Sequence, residues 1–500
     1  YNCQKSQLRS RDFEGICIFV KYMDLHDFAE QIFLSLPYDP NEQQIQLIAA
    51  LARFCSPQMP SDSVFLLNGY AGTGKTSVTG ALVQALRNAS VPVVLLAPTG
   101  RAAKVFGKFA RFPATTIHRR IYRQAAPGGM RFTGEVADNN MQGAVFIVDE
   151  ASMIGDDSGN ASRTSLLEDL VHYVYSGVDC RMILLGDTAQ LPPVGCEKSP
   201  AMDADVLRGF GLRVTRAVMT KVVRQSGRSG ILRNATWLRK AMRHEPLPQP
   251  RLVADDTTPD VHVVDGEDLL DMLSKVYNER GAANALIITR SNKRATQFNL
   301  GVRREILGYE EELCIDDRLL VAKNNYLWSA KVKGIDFIAN GDIATVSRIL
   351  GMEVKYGLRF ANVVLVFPDR DVEVECKIML DALTSDTPAL DPQRFNQLYT
   401  DILNDPDLFT SATPMNVRMK LLRTDPYFNA LQVKYAYAVT CHKSQGGQWD
   451  SVFVDMGYIP PEAQGMDFYR GLYTATTRAT RQLYYINPRI MVNGKMPDEW

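Results

Sequence analysis

The chain has 500 residues, of which 46% are hydrophobic and 22% are charged, and its 56 Lys and Arg are balanced by 56 Asp and Glu. These values are typical of a soluble globular protein with three or four domains. The formal net charge of zero excludes a basic field over the whole molecule, so any binding of nucleic acid must come from local basic patches.

The charges are distributed unevenly along the chain. No Asp or Glu occurs from Arg87 to Gly134, whereas residues 369–409 are acidic. The acid-free stretch includes a series of basic side chains, namely Arg101, Lys104, Lys108, Arg111, Arg119, Arg120 and Arg123. A run of like charge is often only a solvated face, so its function depends on the motifs around it.

The cysteines and the hydropathy pattern limit the class of protein. Eight cysteines are scattered without a C-x-x-C pair or a Cys/His cluster, which argues against a zinc site and fits a reducing cytosol. No apolar run reaches the roughly 20 residues that a membrane span needs. We therefore expect a cytoplasmic protein with no membrane partner.

Strand-like apolar runs alternate with helical patterns along most of the chain. Residues 1–35 are predicted to be an N-terminal extension. The predicted strands lie at 64–68, 91–97, 144–148, 181–185, 285–289 and 451–454, and helices at 77–87 and 100–109. Strands that alternate with helices predict a parallel sheet covered on both faces. The pattern occurs at 36–245 and again at 246–334 continued by 433–500, which predicts two α/β domains.

Two insertions interrupt these domains. Residues 335–432 contain short β-rich runs separated by Gly, Asn and Asp, which predict a small β-barrel inside the second α/β domain. Residues 119–143 contain the turn sequence Pro127-Gly128-Gly129 between apolar residues, which predicts a β-hairpin.

A glycine-rich sequence follows the first predicted strand and opens a helix. It fits the pattern G-x-x-x-x-G-K-[ST] in the context that a phosphate-binding loop requires. The residues of this phosphate loop are Gly69, Tyr70, Ala71, Gly72, Thr73, Gly74, Lys75 and Thr76, and Ser77 follows them. Backbone N–H groups and a helix N-terminus then surround the phosphates. We predict ATP as the ligand, with Lys75 at the β- and γ-phosphates and Thr76 on Mg²⁺.

Polar side chains follow two further predicted strands. Asp149 and Glu150 come directly after the strand at 144–148, and Gln190 follows the strand at 181–185. Open α/β sheets bind ligands at the carboxyl ends of their strands. We predict that Asp149 holds Mg²⁺ through water and that Glu150 polarises the attacking water as a general base. Gln190 is placed to contact the γ-phosphate.

Taken in order, these motifs resemble those of the RecD-like helicases of superfamily 1B, and the matches extend from Asn41 to Arg478. The further matching stretches are Asn41-Glu42-Gln43-Gln44, Pro98-Thr99-Gly100-Arg101, Thr116-Ile117-His118, residues 186–193, Val223-Arg224-Gln225, Thr440-Cys441-His442-Lys443 and residues 473–479. The resemblance implies two RecA-like P-loop domains with an inserted SH3-like barrel. It also implies ATP-driven translocation from 5′ to 3′ on single-stranded DNA, with unwinding of duplex.

The resemblance assigns roles to three residues outside the phosphate loop. Gln44 would read the adenine, and Arg224 and Arg478 would be arginine fingers. Positive charge on the transferred phosphoryl group is typically worth ~10³–10⁵ in rate. Because Arg478 belongs to the second α/β domain, the nucleotide would then lie between two folds.

The resemblance also assigns backbone contacts with the nucleic acid, at Pro98, Thr99, Gly100, Arg101, His118, Thr440, His442 and Lys443. Hydroxyl, guanidinium and imidazole groups donate to phosphate without reading bases. Thr99, Arg101 and His118 lie in the acid-free stretch, which predicts a basic track whose affinity depends on salt.

The sequence leaves several alternatives open. The protein could be a translocase that unwinds poorly, an RNA helicase, or an inactive nucleic-acid clamp, although the presence of Lys75, Glu150, Arg224 and Arg478 argues against the clamp. The hairpin at 119–143 could split a duplex or be an ordinary surface hairpin. Gln448 replaces a Glu that contacts ribose in some superfamily 1 helicases. We expect a bacterial or phage-like monomer that binds single-stranded DNA and junctions with duplex, with accessory proteins as further partners.

Overall fold

The computed structural model describes residues 24–124, 132–155, 165–222, 229–330, 332, 335, 337–368 and 372–495. The chain divides into two compact units. The described residues up to Arg123 and from Thr133 to Ser226 belong to the first unit. Gln124, Phe132 and the described residues from Gly227 onward belong to the second.

The first unit is an α/β fold. Its helices are α1 (Leu25–Leu34), α2 (Glu42–Phe54), α3 (Lys75–Asn88), α4 (Gly100–Ala110), α5 (Ile117–Ile121), α6 (Leu166–Ser176) and α7 (Ala204–Gly209). Its strands are β1 (Ser63–Gly69), β2 (Val93–Ala97), β3 (Ala114–Thr116), β4 (Tyr122–Gln124), β5 (Phe132–Val136), β6 (Val145–Val148), β7 (Arg181–Gly186) and β8 (Arg213–Met219).

Six of these strands form one sheet in the order β3-β2-β6-β7-β1-β8, and every neighbouring pair is parallel. Strand β1 alternates between two hydrophobic cores, because side chains of successive strand residues point to opposite faces. Phe65 and Leu67 pack with α1 to α4 on one face, whereas Val64 and Leu66 pack with α5 to α7 on the other. A sheet covered on both faces agrees with the predicted α/β fold class.

The second unit contains a second parallel sheet and a barrel. Its helices are α8 (Gly230–Ala241), α9 (Leu269–Arg280), α10 (Asn292–Gly301), α11 (Pro392–Leu403), α12 (Met415–Leu422), α13 (Cys441–Ser444) and α14 (Met466–Thr476). Its strands are β9 (Arg251–Leu252), β10 (Val261–Val264), β11 (Ala285–Thr289), β12 (Arg318–Val321), β13 (Ile343–Lys355), β14 (Leu358–Phe367), β15 (Val372–Met379), β16 (Leu431–Tyr435), β17 (Ala438–Thr440), β18 (Trp449–Asp455), β19 (Ala479–Ile486) and β20 (Met491–Val492).

The five strands of the second sheet are all parallel, in the order β10-β19-β18-β11-β17. Strands β12 to β16 form a closed barrel that is inserted between β11 and β17. Sheet and barrel share one hydrophobic core, in which Ile287 and Phe453 of the sheet lie in the same cluster as Leu319 and Val433 of the barrel. The structure confirms the predicted fold class, with two parallel-sheet units and an inserted barrel.

Three boundaries differ from those predicted. Helix α1 buries Phe28 and Ile32 in the core of the first unit, so this part of the predicted extension belongs to that unit. The barrel begins with β12 at Arg318, ahead of the predicted start at 335. The units divide at Ser226, ahead of the predicted 245.

Helix α8 explains the last difference. The carboxylate of Asp260 accepts hydrogen bonds from the Ser229 hydroxyl at 2.7 Å and the Gly230 N–H at 2.6 Å, at the helix N-terminus. The ring of Trp237 in α8 also lies 6.3 Å from the ring of Tyr469 in α14. These contacts attach α8 to the second unit.

Strands β4 and β5 pair as a two-stranded sheet, in agreement with the predicted hairpin, and its turn lies outside the described residues. Within the described ranges, none of the helices is both long and apolar enough to cross a membrane.

Candidate active site

The carboxyl ends of six parallel strands lie along one edge of the first sheet. Across this edge, the segments after β3 and β2 carry the candidate nucleic-acid side chains, and the segment after β6 carries the two acidic residues. The segments after β7 and β1 carry Gln190 and the phosphate loop. The strand order therefore places the two acidic residues between the candidate nucleotide site and the candidate nucleic-acid site.

The phosphate loop depends on its glycines. Gly72 and Gly74 have φ of 75° and 85°, a left-handed conformation that side chains disfavour. A Cβ atom at Gly74 would lie only 2.5 Å from Nε2 of Gln44. The Thr73 hydroxyl donates to the carbonyl of Tyr70 at 2.8 Å and closes the loop. Position 74 therefore favours glycine for its conformation, and a larger residue there would displace the Gln44 amide.

Lys75 is the first residue of α3, and its ammonium group donates to the carbonyl of Gly69 at the start of the loop. The lysine stem covers that end of the loop, because a Cβ atom on Gly69 would lie 2.5 Å from Lys75 Cγ. Thr76 and Ser77 follow in the first helical turn, where N–H groups and the helix dipole favour an anion. The loop thus combines a cation with backbone donors.

Gln44 is fully buried and braces the phosphate loop from α2. Its amide donates to the Tyr38 hydroxyl at 3.1 Å and to the Thr73 carbonyl at 3.3 Å, while its oxygen accepts from the Asn41 N–H at 3.0 Å. Both amide hydrogens are therefore engaged. The adenine contact that was assigned to Gln44 stays a prediction.

Asp149 and Glu150 follow β6 as predicted. Desolvation raises the pKa of Asp149 to about 7, and the charge of Glu150 adds to the rise. The N–H of Glu150, at 2.9 Å from Oδ1, and the ammonium of Lys75 act in the opposite direction. A cation beside this carboxylate would favour its charged form. The charge of Lys75 therefore lowers the pKa of the carboxylate that was predicted to hold Mg²⁺.

Gln190 is buried on the segment after β7. Its amide donates to Asp187 at 3.4 Å. Within the part of the chain that the structure describes, its Oε1 has no hydrogen-bond partner. Buried polar atoms are usually paired, so this atom is a candidate for contact with a ligand.

Sequence reasoning missed a link between the phosphate-loop strand and the segment that carries Gln190. The Asn68 amide donates to the Thr188 hydroxyl at 2.9 Å, and the Thr188 N–H donates back to Asn68 at 3.2 Å. Both residues belong to predicted motifs, but no sequence pattern reports a pairing across 120 residues.

The candidate nucleic-acid residues of the first unit lie at helix N-termini. Thr99, between Pro98 and Gly100, caps α4 by accepting from the Ala102 N–H at 3.2 Å, which leaves the hydroxyl proton to donate. Arg101 lies in the first turn of α4. His118 lies in α5, and burial lowers its pKa, which favours the neutral imidazole.

The candidate nucleic-acid residues of the second unit follow β17. Thr440 ends that strand, and His442 and Lys443 lie in α13. The Lys443 ammonium donates to Asn340 at 2.6 Å, and burial lowers its pKa. Burial also lowers the pKa of His442, while Asp467 raises it. These residues lie at the carboxyl edge of the second sheet.

Arg478 precedes β19 and so lies at the amino edge of the same sheet. It is buried, and its guanidinium donates to the carbonyls of Thr474 and Gly447, each at 3.1 Å. The second unit therefore presents its candidate nucleic-acid residues and its candidate finger at different edges. Arg224 lies outside the described residues.

Two family models match the chain, in the order that the motifs predicted. Residues 41–247 match the AAA domain, and residues 435–486 match the UvrD-like helicase C-terminal domain. The ATP-dependent RecD2 DNA helicase of Deinococcus radiodurans is 32% identical over 185 residues, which cover 36% of this chain and 22% of the relative. The RecBCD enzyme subunit RecD of Mycobacterium tuberculosis is 31% identical over 176 residues, which cover 31% of this chain and 28% of the relative.

The chain therefore contains an AAA domain and a UvrD-like helicase C-terminal domain, and it is similar to RecD-like helicases. The matches span only about a quarter of the length of these RecD-like relatives.

Two solved structures are among those similar to this chain. One is of Pif1 helicases at forked double-stranded DNA, with a TM-score of 0.46 and 15% identity, covering 90% of this chain and 92% of that one. The other is the Pif1 helicase of Candida albicans, with a TM-score of 0.44 and 15% identity, covering 90% and 95%.

Proposed function

We propose that the protein is an ATP-dependent DNA helicase that moves from 5′ to 3′ on single-stranded DNA and unwinds duplex. The observation that carries the proposal is the shared carboxyl edge of the first sheet, with the two acidic residues between the phosphate loop and the candidate nucleic-acid residues. Because both sites lie at one edge, binding and hydrolysis of the nucleotide can change how the protein binds the DNA strand. The 5′-to-3′ direction is taken from the family resemblance.

The phosphate loop fits ATP. Gly69 leaves room for the Lys75 stem and Gly74 for the Gln44 amide, since a Cβ atom at either position would lie 2.5 Å from those groups. Lys75 and the N-terminus of α3 supply the positive charge and the N–H groups that phosphates need.

Thr76 and Asp149 fit a magnesium ion bound with the nucleotide, because hydroxyl and carboxylate oxygens are ligands that this hard cation prefers. When bound, Mg²⁺ would neutralise phosphate charge. Asp149 would be held in its charged form, and Glu150 would accept the proton of the attacking water. Gln190, on the segment after the neighbouring strand β7, would contact the γ-phosphate.

Hydrolysis also needs positive charge at the γ-phosphate. We assign this role to Arg224 and Arg478. The donors at Thr99, Arg101, His118, Thr440, His442 and Lys443 would hold the sugar-phosphate backbone, which suits movement along any sequence. A monomer acting at single-strand to duplex junctions, with accessory proteins as further partners, completes the proposal, and the cytoplasmic location stays a prediction.

A strand-displacement assay tests the proposal. Duplexes with a 5′ tail or a 3′ tail are compared in the presence of ATP and Mg²⁺, and we expect displacement only with the 5′ tail. Lys75→Ala should abolish it. Displacement that requires a 3′ tail would contradict the polarity. ATP hydrolysis without displacement would indicate a translocase, and stimulation of hydrolysis only by RNA would indicate an RNA helicase.

A further inference from the structure

The backbone at the candidate general base is held in an unusual conformation. Glu150 has φ of 53°, and it begins a 3₁₀ turn at Ala151–Met153. The Met153 N–H donates to the Glu150 carbonyl at 2.9 Å. A left-handed conformation at a residue other than glycine persists only where its surroundings hold it.

A hydroxyl from a distant part of the sequence holds this turn. Ser199 Oγ lies 3.1 Å from the carbonyl oxygen of Ala151 and 2.9 Å from that of Ile154. Ser199 is buried, with 6% of its surface exposed. Because a hydroxyl has one proton, the two carbonyls share it. One side chain thus bonds to both ends of the turn.

Ser199 is itself anchored in the core. The N–H of Met202 donates to its carbonyl at 3.1 Å. The Met202 side chain packs against β7, since a Cβ atom on Gly186 would lie 2.5 Å from its sulfur. The Ser199 hydroxyl is therefore fixed relative to the sheet, and its bonds fix the turn relative to the sheet as well.

The segment that ends at Ser199 is also the segment that carries Gln190. Its start is attached to the phosphate-loop strand by the reciprocal bonds of Asn68 and Thr188. Its end is attached to the Glu150 turn by Ser199. One continuous segment thus joins the loop that binds phosphate to the carboxylate that would activate water.

We propose that Ser199 is a positioning residue that orients Glu150 for attack on the nucleotide, an inference that rests on the proposed function. Loss of the hydroxyl releases both carbonyls of the turn and lets the carboxylate turn away from the water. Among the residues that the structure describes, Ser199 bonds to Ala151, Ile154 and Met202 and not to the phosphate loop, so we expect nucleotide affinity to be unchanged. A displacement of about 1 Å at such a group lowers the rate on the order of 100-fold.

The test measures ATP hydrolysis stimulated by single-stranded DNA in Ser199→Ala and Ser199→Cys. We expect kcat to fall at least about tenfold in both, with KM for ATP and affinity for ADP unchanged. Ser176→Ala is the matched control, because its hydroxyl donates to the Tyr173 carbonyl at 2.9 Å in the same unit, away from the turn. The control should keep the wild-type kcat. A wild-type kcat in either folded Ser199 variant would overturn the inference.

A double-mutant cycle separates positioning from general destabilisation. If Ser199 acts through Glu150, Ser199→Ala should lower kcat little further in a Glu150→Gln background. An equal loss in both backgrounds would contradict the assignment. If the wild-type protein itself did not hydrolyse ATP, the proposed function would be wrong. That outcome differs from a failure of the role of Ser199 alone.

Discussion

At the scale of single residues, the two acidic residues after β6 have different environments. Desolvation and its neighbour raise the pKa of Asp149 to about 7, whereas Glu150 is distinguished by its left-handed backbone. Lys75 is the cation that partly compensates the carboxylate of Asp149. We propose a division of roles, with a cation beside Asp149, which would favour the charged form of that carboxylate, and proton transfer at Glu150.

The exchange of Glu150 for Gln tests this division. Glu150→Gln should bind ATP with unchanged affinity but hydrolyse it ~10²–10⁴ times more slowly, because an amide cannot accept the proton of water. Single-turnover kinetics with a separate measurement of ATP affinity distinguishes the two effects. Glu168→Gln, at an exposed position in the first turn of α6, is the control. A near-normal rate in Glu150→Gln would refute the general-base role.

Gly74 offers a second test. Gly74→Ala combines the cost of a left-handed alanine, roughly 1–2 kcal/mol, with a Cβ contact of 2.5 Å to the Gln44 amide. Gly211→Ala has nearly the same φ of 80° and nothing within 4 Å. We expect both variants to lose stability in chemical denaturation, and only Gly74→Ala to lose ATP binding. Equal ATP affinities would show that the loop tolerates the methyl group.

At the scale of elements, the helices inserted after β15 are joined to the barrel by a network around one carboxylate. Glu353 in β13 accepts from the Tyr427 hydroxyl at 2.8 Å, which follows α12 in the chain. It also accepts from the ammonium group of Lys377 in β15, which donates to Asn362 at 2.8 Å as well. The bonds from Lys377 and Tyr427 lower the pKa of Glu353.

This network should make the stability of the second unit depend on pH. A depressed pKa in the folded state contributes stability above the ordinary glutamate value of 4.5, and the contribution is lost as the pH falls through the lower folded value. Glu353→Gln should therefore flatten the acid side of the profile of unfolding free energy against pH. Glu375→Gln, exposed on β15, should leave the profile unchanged. An unaltered profile in Glu353→Gln would mean that the network contributes nothing.

Elements with local signals could be predicted from the sequence, whereas pairings between distant segments could not. The phosphate loop was predictable because the glycine pattern and its flanking strand and helix are contiguous. The brace from Gln44 and Tyr38, and the bonds of Ser199, depend on tertiary contacts that leave no periodic pattern. Strand β12 was missed because the apolar run within it has only three residues, Leu319 to Val321, and periodicity does not assign so short a run to a strand or a helix.

At the scale of the whole molecule, a net charge of zero makes binding of nucleic acid depend on local groups. We predict that basic residues of the acid-free stretch 87–134, Arg101 among them, supply such groups. Each phosphate contact on a single strand adds about 0.7 to the slope of log affinity against log salt. The strength of binding should therefore fall steeply with salt despite the neutral chain.

Arg101→Ala tests this prediction. We expect weaker binding of single-stranded DNA and a salt slope reduced by about 0.7, as for the loss of one phosphate contact. Fluorescence anisotropy at several salt concentrations measures both. Arg208→Ala is the matched control, since that arginine pairs with Asp205 at 2.5 Å on α7. If Arg101→Ala left the salt slope unchanged, Arg101 would not contact a phosphate of the DNA.

The insertion of the barrel between β11 and β17 constrains the order in which the protein can assemble during synthesis. Every strand of the first sheet has been made by Met219, so that unit can fold while the ribosome is still working. Strand β11, by contrast, is made long before its neighbours β17 and β18. Its edges stay unpaired until about 150 further residues have been synthesised. Pairing over such separations is slow and exposes apolar edges to aggregation. The later half of the chain is thus the part for which a chaperone would matter most.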